Sequence, residues 1–272
     1  MAARRSDRIR FLIKPSPFGT RGWLALREDL APGGASAEEA SRGLARRFAA
    51  IQAWFSDLDD FDTRSPAKII AERAVGAGLL NPAYALWILE TLVLFFRYGR
   101  KKGEGMSWKL YHDSFLKKDV EHDWLKDEAF RFIDELLTPE GVARLLYPAV
   151  REFYGAFGAD KYLVTRNLER IAYRYSRVIP YKAYFHEVRD KAALVEAFVA
   201  AHPGLTRYGS GGDSSEDEGI AEVLEFHHRR GDIEKPVCLY RASSPLDLNR
   251  TFNVFVGKDR SGLAGVLARG QE

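Results

Sequence analysis

The sequence predicts an α/β layer fold: a parallel sheet packed against helices, with a purely helical stretch set into it. Three observations predict it. From residue 160 to 270, short β-branched and aromatic runs alternate with runs of helical period. Between residues 65 and 138 the pattern is helical, with no alternating strand run. The composition, 46% hydrophobic and 29% charged over 272 residues, is that of an ordinary soluble globular protein. That length suits a core domain plus an insertion.

In chain order, "RIRFLIK" (8–14) reads as a short strand ended by the punctuation of "PSPFGT". After "APGGAS" (31–36), Ser36 is a candidate N-cap for a helix whose apolar positions Leu44, Phe48, Ile51 and Phe55 keep helical spacing. That helix either runs on into the acidic stretch or stops near Phe48, leaving Ile51 to Ser56 as a short buried strand. Periodicity leaves both open. Ser65-Pro66 and Thr138-Pro139 are cap and first-turn pairs. Between them lie "AKIIAERAV", "AYALWILETLVLFFRYG" and "WLKDEAFRFIDELL"; beyond them "TPEGVARLLYPAVREFYGAFG" supplies one or two helices. Then strands "DKYLVT", "YKAYFHEV", "LTRYGSGG", "KPVCLYRA" and "TFNVFVG" alternate with helices "RNLERIAYRYSRVI", "DKAALVEAFVAAH", "SSEDEGIAEVLEFHHR" and "RSGLAGVLARG". Such alternation predicts parallel strands joined by crossover helices.

Several function classes find no support. A net charge of +3 on 41 basic and 38 acidic residues carries no message about partners. The single cysteine, Cys238, excludes an internal disulfide and a multi-cysteine zinc site, and fits a reducing, cytoplasmic compartment. The basic N-terminus lacks a signal-peptide h-region. "YALWILETLVLFF" (84–96) carries Glu90 and is too short to span a bilayer, so no membrane role is expected. Ser16 and Ser65 lack a Gly-x-Ser-x-Gly context and no Walker loop occurs. His227-His228 reads as a solvated pair favoured by a helix C-terminus, and His186 has no visible partner. A nucleic-acid role would need the basic stretch 97–109 to join Arg166, Arg170 and Arg174 on one face; a solvated loop is the simpler reading.

In an open parallel sheet, ligands bind beyond the carboxyl ends of the strands. After "KYLV" stands Thr165; after "LTRYGSGG" stand Asp213 and, one helical turn on, Asp217; Asp190-Lys191 opens the helix after "YFHEV". If Ile51 to Ser56 is a strand, its end presents Asp57 and Asp59 from the acidic run "FSDLDDFDT". Carboxylates with a hydroxyl, an ammonium and helix amides suit a phosphate held over Mg²⁺.

In their order along the chain, "FSDLDDFDT", "YLVTRNLERIA", "DKAALVEAF" and "GGDSSED" resemble the motifs of the haloacid dehalogenase superfamily. The likeness is to its phosphoserine-phosphatase-like members, which carry a helical cap after the first motif. The resemblance covers residues 50–270 and implies a Rossmann-like parallel-sheet core over 50–64 and 139–272, a helical cap over 65–138 and an N-terminal extension over 1–49. It implies a Mg²⁺-dependent phosphatase acting on a small phosphorylated substrate. Asp57 would be the nucleophile and Asp59 the general acid and base. Thr165 and Lys191 would hold the phosphoryl oxygens, with Asp57, Asp59, Asp213 and Asp217 around the metal. Phe61 departs from the Thr or Val expected there.

Simpler readings stand beside these. Asp57 and Asp59 would be a solvated loop, Asp213 and Thr165 helix caps, and Lys191 a surface lysine. A rival alignment puts "RIRFLIK" and "PSPFGT" in the first-motif position; it has no aspartate and describes a catalytically inactive binding protein. The location of the first core strand separates the two.

Overall fold

The computed structural model describes residues 9–13, 24–27, 37–58, 61–64, 69, 130–131, 133–156, 158–241 and 254–256. Its strands are β1 (Ile9–Ile13), β2 (Leu24–Arg27), β3 (Ala53–Ser56), β4 (Asp160–Val164), β5 (Ala183–Phe185), β6 (Tyr208–Gly212), β7 (Val237–Arg241) and β8 (Val254–Val256). The helices are α1 (Ala37–Ala50), α2 (Pro139–Leu145), α3 (Pro148–Ala156), α4 (Glu169–Ser176), α5 (Lys191–Ala201) and α6 (Ser215–Arg230). All eight strands join one sheet in the order β1-β2-β8-β7-β6-β3-β4-β5. From β5 to β8 the pairings are parallel; β2 joins β8, and β1 joins β2, antiparallel.

The expected α/β class with a parallel sheet is therefore the observed one, and β3 lies inside it, between β4 and β6. This resolves the ambiguity at Phe48 to Phe55. The helical phase ends at Ala50, and the Gln52 side chain fastens the chain beyond it. Its Oε1 accepts the Thr206 and Arg207 amides at 3.0 and 3.1 Å, while its own N–H donates to Arg207 O at 2.9 Å. The rival first strand, β1, lies at the sheet's far edge against β2. Residues 14–23, which include "PSPFGT", lie outside the described residues.

All four residues of β3 are buried, as a strand covered on both faces requires. Its side chains alternate between two aromatic layers. On one face Trp54 meets Phe48 of α1 at 6.0 Å and Phe153 of α3 at 5.5 Å between ring centroids. On the other, Phe55 meets Phe198 of α5 at 5.1 Å and stacks parallel to Tyr208 at 6.2 Å. Val195, Val199, Ile220 and Leu224 complete that second layer.

The glycines of "YGSGG" make room for the first layer. A Cβ on Gly209 would lie 2.7 Å from the Trp54 ring, and one on Gly211 would lie 2.3 Å from Phe61 Cε1. The strand thus omits side chains on the face where Trp54 and Phe61 need the space.

The chain divides into two compact units. One comprises Met1–Thr63, Leu146–Arg166 and Ile179–Glu272; the other comprises Arg64–Leu145 and Asn167–Val178. Residues 1–49 place β1, β2 and α1 in the unit that holds the sheet, because the two edge strands extend its ladder. The second unit takes in 167–178, and α4 with it, as well as the segment after residue 63. Within the second unit, Thr138 caps α2 as expected, its Oγ1 accepting the Gly141 amide at 3.1 Å. The sequence-predicted helices between residues 66 and 129 and after residue 259 lie outside the described residues, except that Ile69 is helical.

The Phe61 ring is fully buried and has no room to yield to a methyl group on β6. Gly211→Ala is expected to cost about 1–3 kcal/mol, read as a lowered urea midpoint. A midpoint equal to that of the unsubstituted protein would show that the ring is not the constraint described.

Candidate functional site

The carboxyl ends of β3, β4 and β6 converge where the strand order reverses, the usual place for a ligand in an open sheet. Asp57 follows β3 directly and is 4% exposed. Its N–H donates to Gly211 O on β6 at 3.0 Å, and its Oδ1 accepts the Leu58 amide at 2.9 Å. Lys191, the first residue of α5, is 3% exposed. Its ammonium lies 2.8 Å from Asp57 Oδ1 and 2.7 Å from Asp217 Oδ1. The surface-lysine and solvated-loop readings of Lys191 and Asp57 therefore do not describe this protein. Asp190 caps α5 by accepting the Ala193 amide at 2.9 Å, which sets the helix start that aims Lys191 inward.

Asp217 is equally enclosed. Its Oδ2 accepts the Asp213 amide at 3.0 Å, the Ser214 amide at 2.9 Å and the Ser214 hydroxyl at 2.8 Å. Ser214 is the N-cap of α6 and Asp217 its capping-box partner, so the cap does not fall on Asp213 as the simpler reading had it. Asp213 is left half-buried beside the other two carboxylates. One oxygen from each of Asp57, Asp213 and Asp217 lies within 4.8 Å of the others.

Thr165 follows β4 and is completely buried. Its backbone is tied to the neighbouring turn: its N–H donates to Phe185 O at 2.9 Å, and its carbonyl accepts the Val188 amide at 3.1 Å. It does not cap a helix, because α4 begins at Glu169 with Leu168 in the cap position. Arg166, next to it, pairs with Glu216 at 2.9 Å and donates to Arg189 O at 3.4 Å, linking the turns after β4 and β5 to the first turn of α6. Asp59 and Asp60 lie outside the described residues.

Electrostatics follow from this enclosure. For Lys191, burial is the largest single influence and lowers the ammonium's pKa. The Asp57 and Asp217 charges and their hydrogen bonds outweigh it, so the net direction is upward. For Asp217, burial raises the carboxyl's pKa, but Lys191 and the Ser214 hydrogen bonds bring it below the ordinary 3.8. Both groups are charged at neutral pH.

No family model and no curated protein matches the chain. Solved structures do. Cytosolic 5'-nucleotidase IIIB bound to cytidine superposes with a TM-score of 0.53 at 13% identity, covering 91% of this chain and 94% of that one. DsGPDH of Dunaliella salina gives a TM-score of 0.52 at 14% identity over 83% of this chain, which spans 37% of that protein's length. A probable phosphoserine phosphatase from Vibrio cholerae, in unliganded form, gives 0.49 at 13% identity over 91% of this chain and 69% of that one. The α/β fold is haloacid dehalogenase-like. At these identities the likeness is one of fold.

Within this fold, some polar groups were not legible from the sequence. Asp62 is completely buried, yet nothing in "DLDDFDT" separates it from its neighbours. Its partners, Ser56, Tyr154 and Tyr181, are 6, 92 and 119 positions away. His227 is a correction. It is not solvated but 6% exposed, with Nδ1 2.9 Å from Asp232 and Nε2 3.1 Å from Glu196. The basic stretch 97–109 lies outside the described residues, while Arg166 pairs with Glu216, and Arg170 and Arg174 pair with Asp134.

Removing one member of a buried ion cluster leaves uncompensated charge. Lys191→Met is expected to destabilise by about 3–5 kcal/mol in urea titrations. The pH dependence has a definite sign. Because the Asp217 pKa is lowered on folding, its contribution is complete above 3.8 and lost as pH falls through the lower folded-state value. Asp217→Asn should therefore be less stable at neutral pH and lose less stability than the unsubstituted protein on acidification below about pH 4. Parallel acid limbs would contradict the assignment.

Proposed function

We propose that the chain is a phosphomonoester hydrolase working through an aspartyl-phosphate on Asp57. The observation that supports this best is Asp57 at the end of the central parallel strand, seated on the buried Lys191 beside Asp213 and Asp217. A carboxylate held at the switch point of the sheet, next to a fixed ammonium, is a nucleophile with a ready partner for an anion. Asp57 directly follows β3, a strand inside the sheet, which supports this reading over that of a catalytically inactive binding protein.

The donor set fits a divalent cation. Three clustered carboxylates supply hard oxygen ligands, and Lys191 offsets one of their charges. In this reading Asp57 and Asp213, with Asp59, would hold Mg²⁺, which lowers the charge repulsion between substrate phosphate and carboxylate. Asp217, expected at the metal and the third member of that cluster, has a further role in this reading. Its oxygens already accept Lys191, the two amides and the Ser214 hydroxyl, so it positions Lys191 and the turn after β6.

The chemistry then belongs to the chain's own groups. The Asp57 carboxylate attacks phosphorus in line, and the bond to the leaving oxygen breaks. Asp59 protonates that oxygen, then takes a proton from the water that attacks the phosphorus and frees Asp57 and inorganic phosphate. Lys191 and Thr165 donate to the phosphoryl oxygens. The substrate class is a small phosphorylated molecule, and a helical cap over 65–138 would close on it. Among the described residues no helix is long and apolar enough to cross a membrane. The sequence's single cysteine, Cys238, is buried, in keeping with the cytoplasmic location included in this proposal.

A generic aryl phosphate is expected to be hydrolysed in Mg²⁺ and not in excess chelator, and Asp57→Asn should abolish turnover while the protein stays folded. Asp59→Asn should slow alkyl phosphates by about 100-fold or more and aryl phosphates much less, since a phenolate leaves without a proton. Undiminished hydrolysis by Asp57→Asn, or no hydrolysis across a broad panel of phosphomonoesters, would refute the proposal.

A further inference from the structure

Asp62 follows Asp57 by five positions and is 0% exposed. Three hydroxyl groups converge on its carboxylate. Tyr154 donates to Oδ1 at 2.6 Å, Ser56 to Oδ2 at 2.7 Å and Tyr181 to Oδ2 at 2.5 Å. The Ser56 and Tyr154 oxygens lie 2.6 Å apart, and Trp54 Nε1 donates to the Tyr154 oxygen at 3.2 Å. Burial, and then the Asp62 charge, push the Tyr154 hydroxyl well above its ordinary 10.0, so it remains a donor throughout the working pH range.

A buried carboxylate is a poor choice for stability alone, because an apolar residue of similar volume is often as good or better. Its place in the chain suggests another use. Ser56 immediately precedes Asp57, so the Ser56–Asp62 bond closes the turn that carries Asp57. The backbone is closed in parallel: Thr63 N–H donates to Leu58 O at 3.2 Å and Tyr147 N–H to Asp62 O at 3.3 Å. Tyr154 comes from α3 and Tyr181 from the segment before β5, so the clamp is anchored to two other parts of the sheet unit.

We propose that Asp62 is a positioning residue. Through Ser56, Tyr154 and Tyr181 it fixes the turn after β3, so that the Asp57 carboxylate stays seated on Lys191 and the Leu58 amide. For turnover, this rests on the phosphohydrolase reading above.

The test compares Asp62→Asn, Tyr154→Phe and Tyr181→Phe by kinetics on an aryl phosphate and by amide hydrogen exchange at Leu58, whose N–H reports the seat of Asp57. The expected result is a kcat lowered about 10- to 100-fold with KM within about twofold of the unsubstituted protein. Leu58 exchange should accelerate about tenfold or more while Tyr181→Phe remains folded to nearly the same temperature. If Asp62→Asn does not fold, the two Tyr→Phe proteins, which each lose one hydroxyl, decide the matter. Folded variants with unchanged kcat and unchanged Leu58 exchange, and only a lowered thermal midpoint, would overturn the proposal. If the unsubstituted protein hydrolyses no phosphomonoester, the phosphohydrolase reading fails, and Leu58 exchange alone decides whether Asp62 positions Asp57.

Discussion

Lys191 lies between Asp57 and Asp217 with all three side chains withdrawn from water. A buried ammonium in isolation would lose its proton, and a buried carboxylate would gain one. The two carboxylates keep the ammonium charged and the ammonium in turn lowers the Asp217 pKa, which ties the end of β3, the start of α5 and the first turn of α6 to one point. The local features around them serve that arrangement. Asp190 sets the start of α5, the Ser214–Asp217 capping box sets the start of α6, and the Asp57 amide is bonded to β6.

The sheet supplies the rigidity that such a cluster needs. Ion pairs withdrawn from solvent are favourable only with good geometry and satisfied hydrogen bonds. The geometry here is inherited from β3, whose two faces are filled by Trp54 with Phe48 and Phe153, and by Phe55 with Phe198 and Tyr208. Gly209 and Gly211 let the Trp54 and Phe61 rings approach β6 directly. Aromatic packing below and charge pairing above therefore constrain the same four-residue strand. The Asp62 clamp adds a third constraint on the turn between them.

Much of this was legible in the sequence, for identifiable reasons. "YGSGG" followed by "DSSED" marks a strand, a tight approach and a capped helix within ten residues, and the structure places β6 and α6 there. The alternation of strands and helices from residue 160 gave the parallel sheet. Local patterns failed where long-range pairing decides. The helical phase of Leu44, Phe48, Ile51 and Phe55 continues past the real helix end, because β4 and β6 capture Ala53–Ser56 from either side. The run "LALR" is too short and mixed to read as a strand, yet as β2 it joins β1 to β8. Lys191 was singled out at a helix start and Asp62 was not; only the fold shows that one meets two carboxylates and the other three hydroxyls. Spacing likewise placed a helix immediately after Thr165, whereas Arg166 to Leu168 intervene.

The central claim is that the carboxylate seated on Lys191 becomes covalently phosphorylated. Borohydride added during turnover of a phosphomonoester reduces an aspartyl-phosphate to homoserine, and peptide mass spectrometry then locates the modified residue. The account predicts homoserine at position 57, dependent on substrate and absent from its other aspartates. Turnover that leaves Asp57 unmodified, with the label on another residue or on none, would contradict it.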